Sequence, residues 1–164
     1  MQKNLFLVLL FSATLFGCSK DDETGEIIDG VFDRALLAGQ WQDTHGAKYN
    51  FETDGKLSSF NWESEKVALD EDEKYYYDFN PLRTFTAYWL DYAGWYKESG
   101  TYSFDGRVIT LTTGQESVQS KVIKLTKTEL VVEQSDGEYV ERYWMKKKPI
   151  PSDVSANAKD YVDE

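Results

Sequence analysis

The sequence predicts an all-β fold: an antiparallel up-and-down β-barrel of about eight strands behind a short N-terminal helical turn. Three observations predict it. Short alternating segments recur at even spacing between residues 40 and 146, turn residues separate them, and large rings crowd them. The chain carries 5 Trp, 11 Tyr and 9 Phe, residues that suit a pleated, half-buried surface. A sandwich fits the same spacing, but closure into a barrel removes exposed strand edges.

The elements follow in order. Residues 31–38 read as a helical turn with an apolar face, ended by Gly39. Strands are expected at 40–44, led by Trp41, and at 48–52, with His45-Gly46 beside the first turn. Thr53-Asp54-Gly55 turns the chain into a strand at 56–63, where Phe60 and Trp62 share a face. Residues 65–74 are acidic and read as a loop or broken strand. A strand at 75–79 stops at Asn80-Pro81, and a long one covers 84–92, with Ala93-Gly94 as a bend. Strand 97–104 meets Asp105-Gly106, the strongest hairpin signal in the chain, with its partner at 108–112. Strands at 118–125, 129–133 and 139–146 complete the set. Pro149 and Pro151 cannot continue a central strand, so a barrel domain at 31–148 is expected to give way to a disordered tail at 149–164.

The N-terminus reads as an address. Lys3 precedes an apolar run from Leu5 to Phe16, too short for the roughly 20 residues that span a bilayer. It suits a signal peptide over residues 1–17. The run ends Leu15-Phe16-Gly17-Cys18, a lipobox pattern with Phe16 bulkier than usual, so Cys18 is the expected site of lipid attachment (palmitate or a similar acyl chain). Cys18 is also the one cysteine, so no internal disulfide can form. Residues 18–30 read as an acidic flexible tether. Ser19 resembles the sorting residue of lipoproteins sent to the outer membrane. Asp21-Asp22-Glu23 resembles the surface-export signal of Bacteroidota lipoproteins.

The formal net charge of −11 disfavours nucleic acid, whose phosphates would be repelled. Removing residues 1–17 takes away Lys3 and leaves the mature chain more acidic still.

Several segments carry a family resemblance. Leu36-Leu37-Ala38-Gly39-Gln40-Trp41 looks like the helical turn and Gly-x-Trp that open a lipocalin-type barrel. Residues 51–56, 100–111 and 122–132 repeat a related strand-turn pattern. Together with the lipobox, they resemble the lipocalin-like domain lipoproteins of Bacteroidota over residues 36–146. The resemblance implies an eight-stranded calyx and a binding role, with Gly39 and Trp41 structural. It also implies a basic residue over Trp41, for which Arg142 is the candidate by type and position. The Thr-Asp-Tyr motif of secreted lipocalins is missing; Leu90-Asp91-Tyr92 is a loose echo.

Catalytic signals are weak. His45 is the one histidine, and no Gly-x-Ser-x-Gly elbow is present, so a catalytic triad has no support. Glu63, Glu65 and Asp70-Glu71-Asp72-Glu73 crowd one segment without EF-hand spacing, so a solvated acidic loop outweighs a calcium site. No cofactor motif appears.

The informative cluster is aromatic, from Tyr75 to Tyr102. Along 84–92 both strand faces carry rings, so one set fills a barrel and the other lines a mouth or an outer patch. Trp62, Tyr88, Trp89, Tyr92 and Trp95 are the expected ligand-lining residues. The expected role is non-enzymatic. The chain would hold a small apolar or amphipathic ligand at the barrel mouth, anchored by lipid to the outer membrane and displayed on its surface. The competing reading is an interaction lipoprotein of an envelope complex, with a filled barrel and an envelope protein as partner.

Overall fold

The computed structural model describes residues 27–28 and 31–161; the expected signal peptide, Cys18 and nearly all of the expected tether lie outside them. Val31–Phe32 pairs antiparallel with Ile27–Ile28. A 3₁₀ turn at Arg34–Leu37 follows, capped by the Asp33 carboxylate, which accepts from the Ala35 amide.

Eight strands then form the wall: β1 (Gly39–Asn50), β2 (Tyr75–Phe79), β3 (Thr84–Asp91), β4 (Gly94–Phe104), β5 (Val108–Thr113), β6 (Glu116–Leu125), β7 (Glu129–Ser135) and β8 (Tyr139–Lys147). Each pairs antiparallel with the next, and β8 returns to pair with β1. The result is a closed up-and-down barrel. The turns at 80–83, 105–107 and 126–128 lie at the lower end, where the 3₁₀ turn also sits. The turns at 92–93, 114–115 and 136–138 lie at the upper end, with the long 51–74 connection.

β1 corrects the expectation of two strands broken at His45-Gly46. It runs unbroken for 12 residues, with His45 opposite Trp144 and Gly46 opposite Tyr143. Gly46 serves packing rather than turning. A Cβ there would stand 3.2 Å from Leu69 and 3.7 Å from the Tyr143 ring. A bulge sits just before it: Met145 pairs with Asp43 and Trp144 with His45, leaving Thr44 as the extra residue. The bulge switches the inward set from Trp41 and Asp43 below to Gly46 above.

The lower barrel is filled. Leu37, Trp41, Phe79, Phe85, Phe104, Ile109, Leu125, Leu130 and Met145 form one buried cluster. Each such side chain contributes about 1.5–3 kcal/mol on burial. The Trp41 indole donates to the Leu37 carbonyl at 2.8 Å. The cation over Trp41 is Lys147, its Nζ 5.0 Å from the ring and donating to the Leu36 carbonyl at 3.0 Å. This corrects the assignment of that place to Arg142. Register explains it: Lys147 lies opposite Trp41, whereas Arg142 lies opposite Ala47 on the outer face.

The segment expected as a strand at 56–63 is instead a run of turns folded over the outer wall. Trp62 packs with Ala47, Val131 and Trp144 in a second apolar cluster. Arg142 caps it at 4.2 Å from the Trp62 ring and pairs with Glu133 at 2.6 Å. Tyr49, Phe51 and Phe60 extend the cluster edge to face.

The tail also departs from expectation. After Lys147 the chain forms helix α1 (Ser152–Asn157) and a short strand at Lys159–Asp160. Pro151 has φ −55°, which suits the start of a helix as well as it ends a strand. Val154 on α1 is buried. β5 pairs with β4 only from Thr101 downward, so the upper half of β4 has a free edge. Lys159 and Asp160 pair parallel with Tyr96 and Lys97 on that edge.

Candidate functional site

The filled lower barrel gives way above to a cavity of ≈ 190 Å³. Its floor and walls are Phe79, Ile109, Leu111, Leu130, Val132 and Met145; its polar and aromatic groups are Asp43, Tyr75, Tyr77, Tyr143, Ser120 and Gln134. The barrel is therefore part filled and part hollow.

Asp43 is the unusual member. The alternation that buries Trp41 also turns Asp43 inward, just below the bulge, and the residue is 2 % exposed. The ladder between β1 and β2 ends at Gln42 and Tyr76, which frees the Tyr75 amide to donate to Asp43 Oδ2 at 3.3 Å. Oδ1 is buried without a hydrogen-bond partner among the described residues. Burial pushes the carboxyl up to about 7, against the opposing pull of the Tyr75 hydrogen bond. Among the described residues, no lysine or arginine lines the cavity.

Three phenols surround this carboxyl. Tyr77 stacks between Tyr75, at 6.1 Å, and Phe79, at 5.9 Å. Burial raises Tyr77 well above the ordinary phenol range, and the charge of Asp43 adds to the effect. Tyr143 is raised chiefly by burial as well, and it donates to Glu141 at 3.0 Å. On the opposite wall Gln134 donates to Ser120 at 2.8 Å.

The expected ligand-lining residues are scattered. Trp89 shares the inward face with Phe85 and Ala87 and stacks on Tyr75 at 6.0 Å. Tyr96 and Tyr161 pack against its other sides. Tyr88, opposite Tyr76, lies on the outer face. Trp95 meets Tyr76 edge to face at 5.7 Å, also outside. Tyr92 is fully exposed at the tip of the β3–β4 turn, and Trp62 belongs to the outer cluster. The structure thus sets Trp89 against Tyr75, which lines the cavity, and separates it from the other four.

Sequence reasoning missed Asp43. Its one signal was parity, since Asp43 stands two residues from the inward Trp41. The other candidates for chemistry are occupied locally. His45 sits in strand with Nδ1 3.0 Å from the Thr44 hydroxyl; burial, then Lys66, pushes its pKa down and favours the neutral ring. In the acidic segment Glu71 accepts from Tyr76 at 2.7 Å and from Lys74 at 3.0 Å, while Asp70 and Glu73 form a capping box.

A family model described as a lipocalin-like domain matches residues 37–132, from the end of the 3₁₀ turn into β7. No curated protein matches the chain. With more than half of the sequence matched, and with the barrel closed as that family requires, the chain belongs to the lipocalin-like domain family.

Proposed function

We propose that this protein is a non-enzymatic binding module that holds a small ligand inside the upper barrel. Lipocalin-like barrels typically bind rather than catalyse, and ligand sites are concave, mostly apolar and marked by a few placed polar groups. The observation that carries the reading is the cavity above the filled lower core, with the buried carboxyl of Asp43 in its wall. A chain that used its barrel only as a scaffold would gain by filling this space with apolar side chains. In the same proposal, Cys18 carries lipid and the module sits on the outer membrane, exposed at the cell surface as in the Bacteroidota lipoproteins its N-terminus resembles.

A thermal-shift screen of small one-ring and short aliphatic compounds tests the binding role. A ligand at about a hundred times its Kd stabilises the fold by about 2.7 kcal/mol, enough to raise Tm by several degrees. Val132→Phe and Leu111→Phe each push a ring into the cavity, and both should lose the response while remaining folded. If no compound raises Tm and the filling variants are simply more stable, the cavity is a packing gap. The interaction-lipoprotein reading, with an envelope protein as partner, would then take over.

A further inference from the structure

We infer that the ligand is a small organic ammonium ion bearing one ring, its charged group seated on Asp43 and its apolar part against the aliphatic wall. This rests on the barrel-binding reading above and names the chemical class of its ligand.

Three features select an ammonium. Asp43 is one of the lining residues, its side chain is almost wholly buried, and its Oδ1 has no hydrogen-bond partner among the described residues. A buried anion needs a counter-charge or a proton, and no basic side chain among the lining residues supplies the first. The rings of Tyr75, Tyr77 and Tyr143 line the same cavity, and aromatic faces attract cations. A carboxylate among rings is a cradle for an alkylammonium, which would be held by a charge-assisted hydrogen bond. Size then limits the ligand. A cavity of about 150 Å³ holds benzene; the ≈ 190 Å³ here has room for one ring and a short chain.

Burial pushes Asp43 up to about 7, so below neutral pH the carboxyl of the free protein is mostly protonated. The groups facing it are the Tyr75, Tyr77 and Tyr143 phenols, which stay protonated at neutral pH, with Glu141 beyond Tyr143. An incoming ammonium keeps its own protons, and the Asp43 proton leaves for solvent. Binding below neutral pH should therefore release up to one proton.

Calorimetric titration of the full chain with 2-phenylethylamine, neutral 2-phenylethanol and anionic 3-phenylpropanoate tests this. The amine should bind at least about tenfold more tightly than the alcohol, and the acid should be rejected. At pH 6, repeating the amine titration in buffers of different ionisation enthalpy should reveal proton release. Asp43→Asn keeps shape and removes charge, so it should bring the ratio of amine to alcohol affinity down to about one. If the alcohol binds as tightly as the amine, or the amine's advantage survives in Asp43→Asn, the ammonium assignment fails and the binding module stands. If none of the three binds while other compounds raise Tm, the assignment again fails alone. If nothing binds at all, both readings fall.

Discussion

Asp43 concentrates the cost and the use of the upper barrel in one residue. Its folded-state value of about 7 lies above the unfolded value near 3.8, so the native state holds a proton that the unfolded chain has lost between those pH values. Stability contributed through this group is greatest below pH 4 and falls as pH rises toward 7, by at most about 4 kcal/mol. Asp105 and Glu71 are lowered, and their contributions vanish only on acidification below the ordinary carboxylate range, a separate window. His45 is lowered and acts with the opposite sign near pH 6, but it is common to both proteins in the comparison. Urea unfolding from pH 4 to pH 8 should show wild type losing stability relative to Asp43→Asn as pH rises; parallel curves would show that Asp43 keeps an ordinary pKa. The residue escaped sequence reasoning because Gln42-Asp43-Thr44 reads as the polar end of the first strand. Only the register with β8 and the loss of ladder pairing beyond Gln42 show that it points inward.

At the scale of elements, alternation located the wall more reliably than its faces. The hairpin at Asp105-Gly106 and the strands around it stand where the pattern placed them, because turn chemistry and period-two burial agree there. The strands β1, β7 and β8 carry apolar residues on both faces, because Trp62 of the 51–74 connection packs outside them against Ala47, Val131 and Trp144. His45-Gly46 misled for a related reason, since that glycine makes room for Leu69 and Tyr143 instead of reversing the chain. The C-terminal segment was misread because two prolines end a strand while also permitting the helix that follows. That helix has a stabilising role. Val154 is buried, and the strand after it covers the free upper edge of β4 beside Trp89. Val154→Ala should cost about 1–2 kcal/mol, and hydrogen exchange should quicken at residues 94–100 more than in β7 or β8. Uniform acceleration across the barrel would mean that the segment stabilises the whole fold without guarding that edge.

The topology of the whole molecule fixes how an anchored copy would face its membrane. The chain reaches the barrel from below: the Phe32 amide donates to the Gly106 carbonyl at 2.8 Å, and the 3₁₀ turn sits under the lower core. Lipid on Cys18 would hold this lower end within about 35 Å of the surface, because the chain can extend only from Cys18 to Ile27, which folds back against Phe32. The cavity opens above the filled core, away from that attachment. The net acidity of the chain opposes rolling its flank onto an anionic bilayer. Leu82 at a lower turn and Tyr92 at an upper one are both strongly exposed, so each can carry a probe without disturbing the core. With fluorophores on Leu82→Cys and Tyr92→Cys in the lipidated protein on vesicles, headgroup quenchers should quench the Leu82 site more strongly. Cys18→Ser should release the protein from the membrane and abolish quenching at both sites. Stronger quenching at Tyr92 would turn the mouth toward the lipid, and membrane binding that survives Cys18→Ser would remove the anchor itself from the scheme.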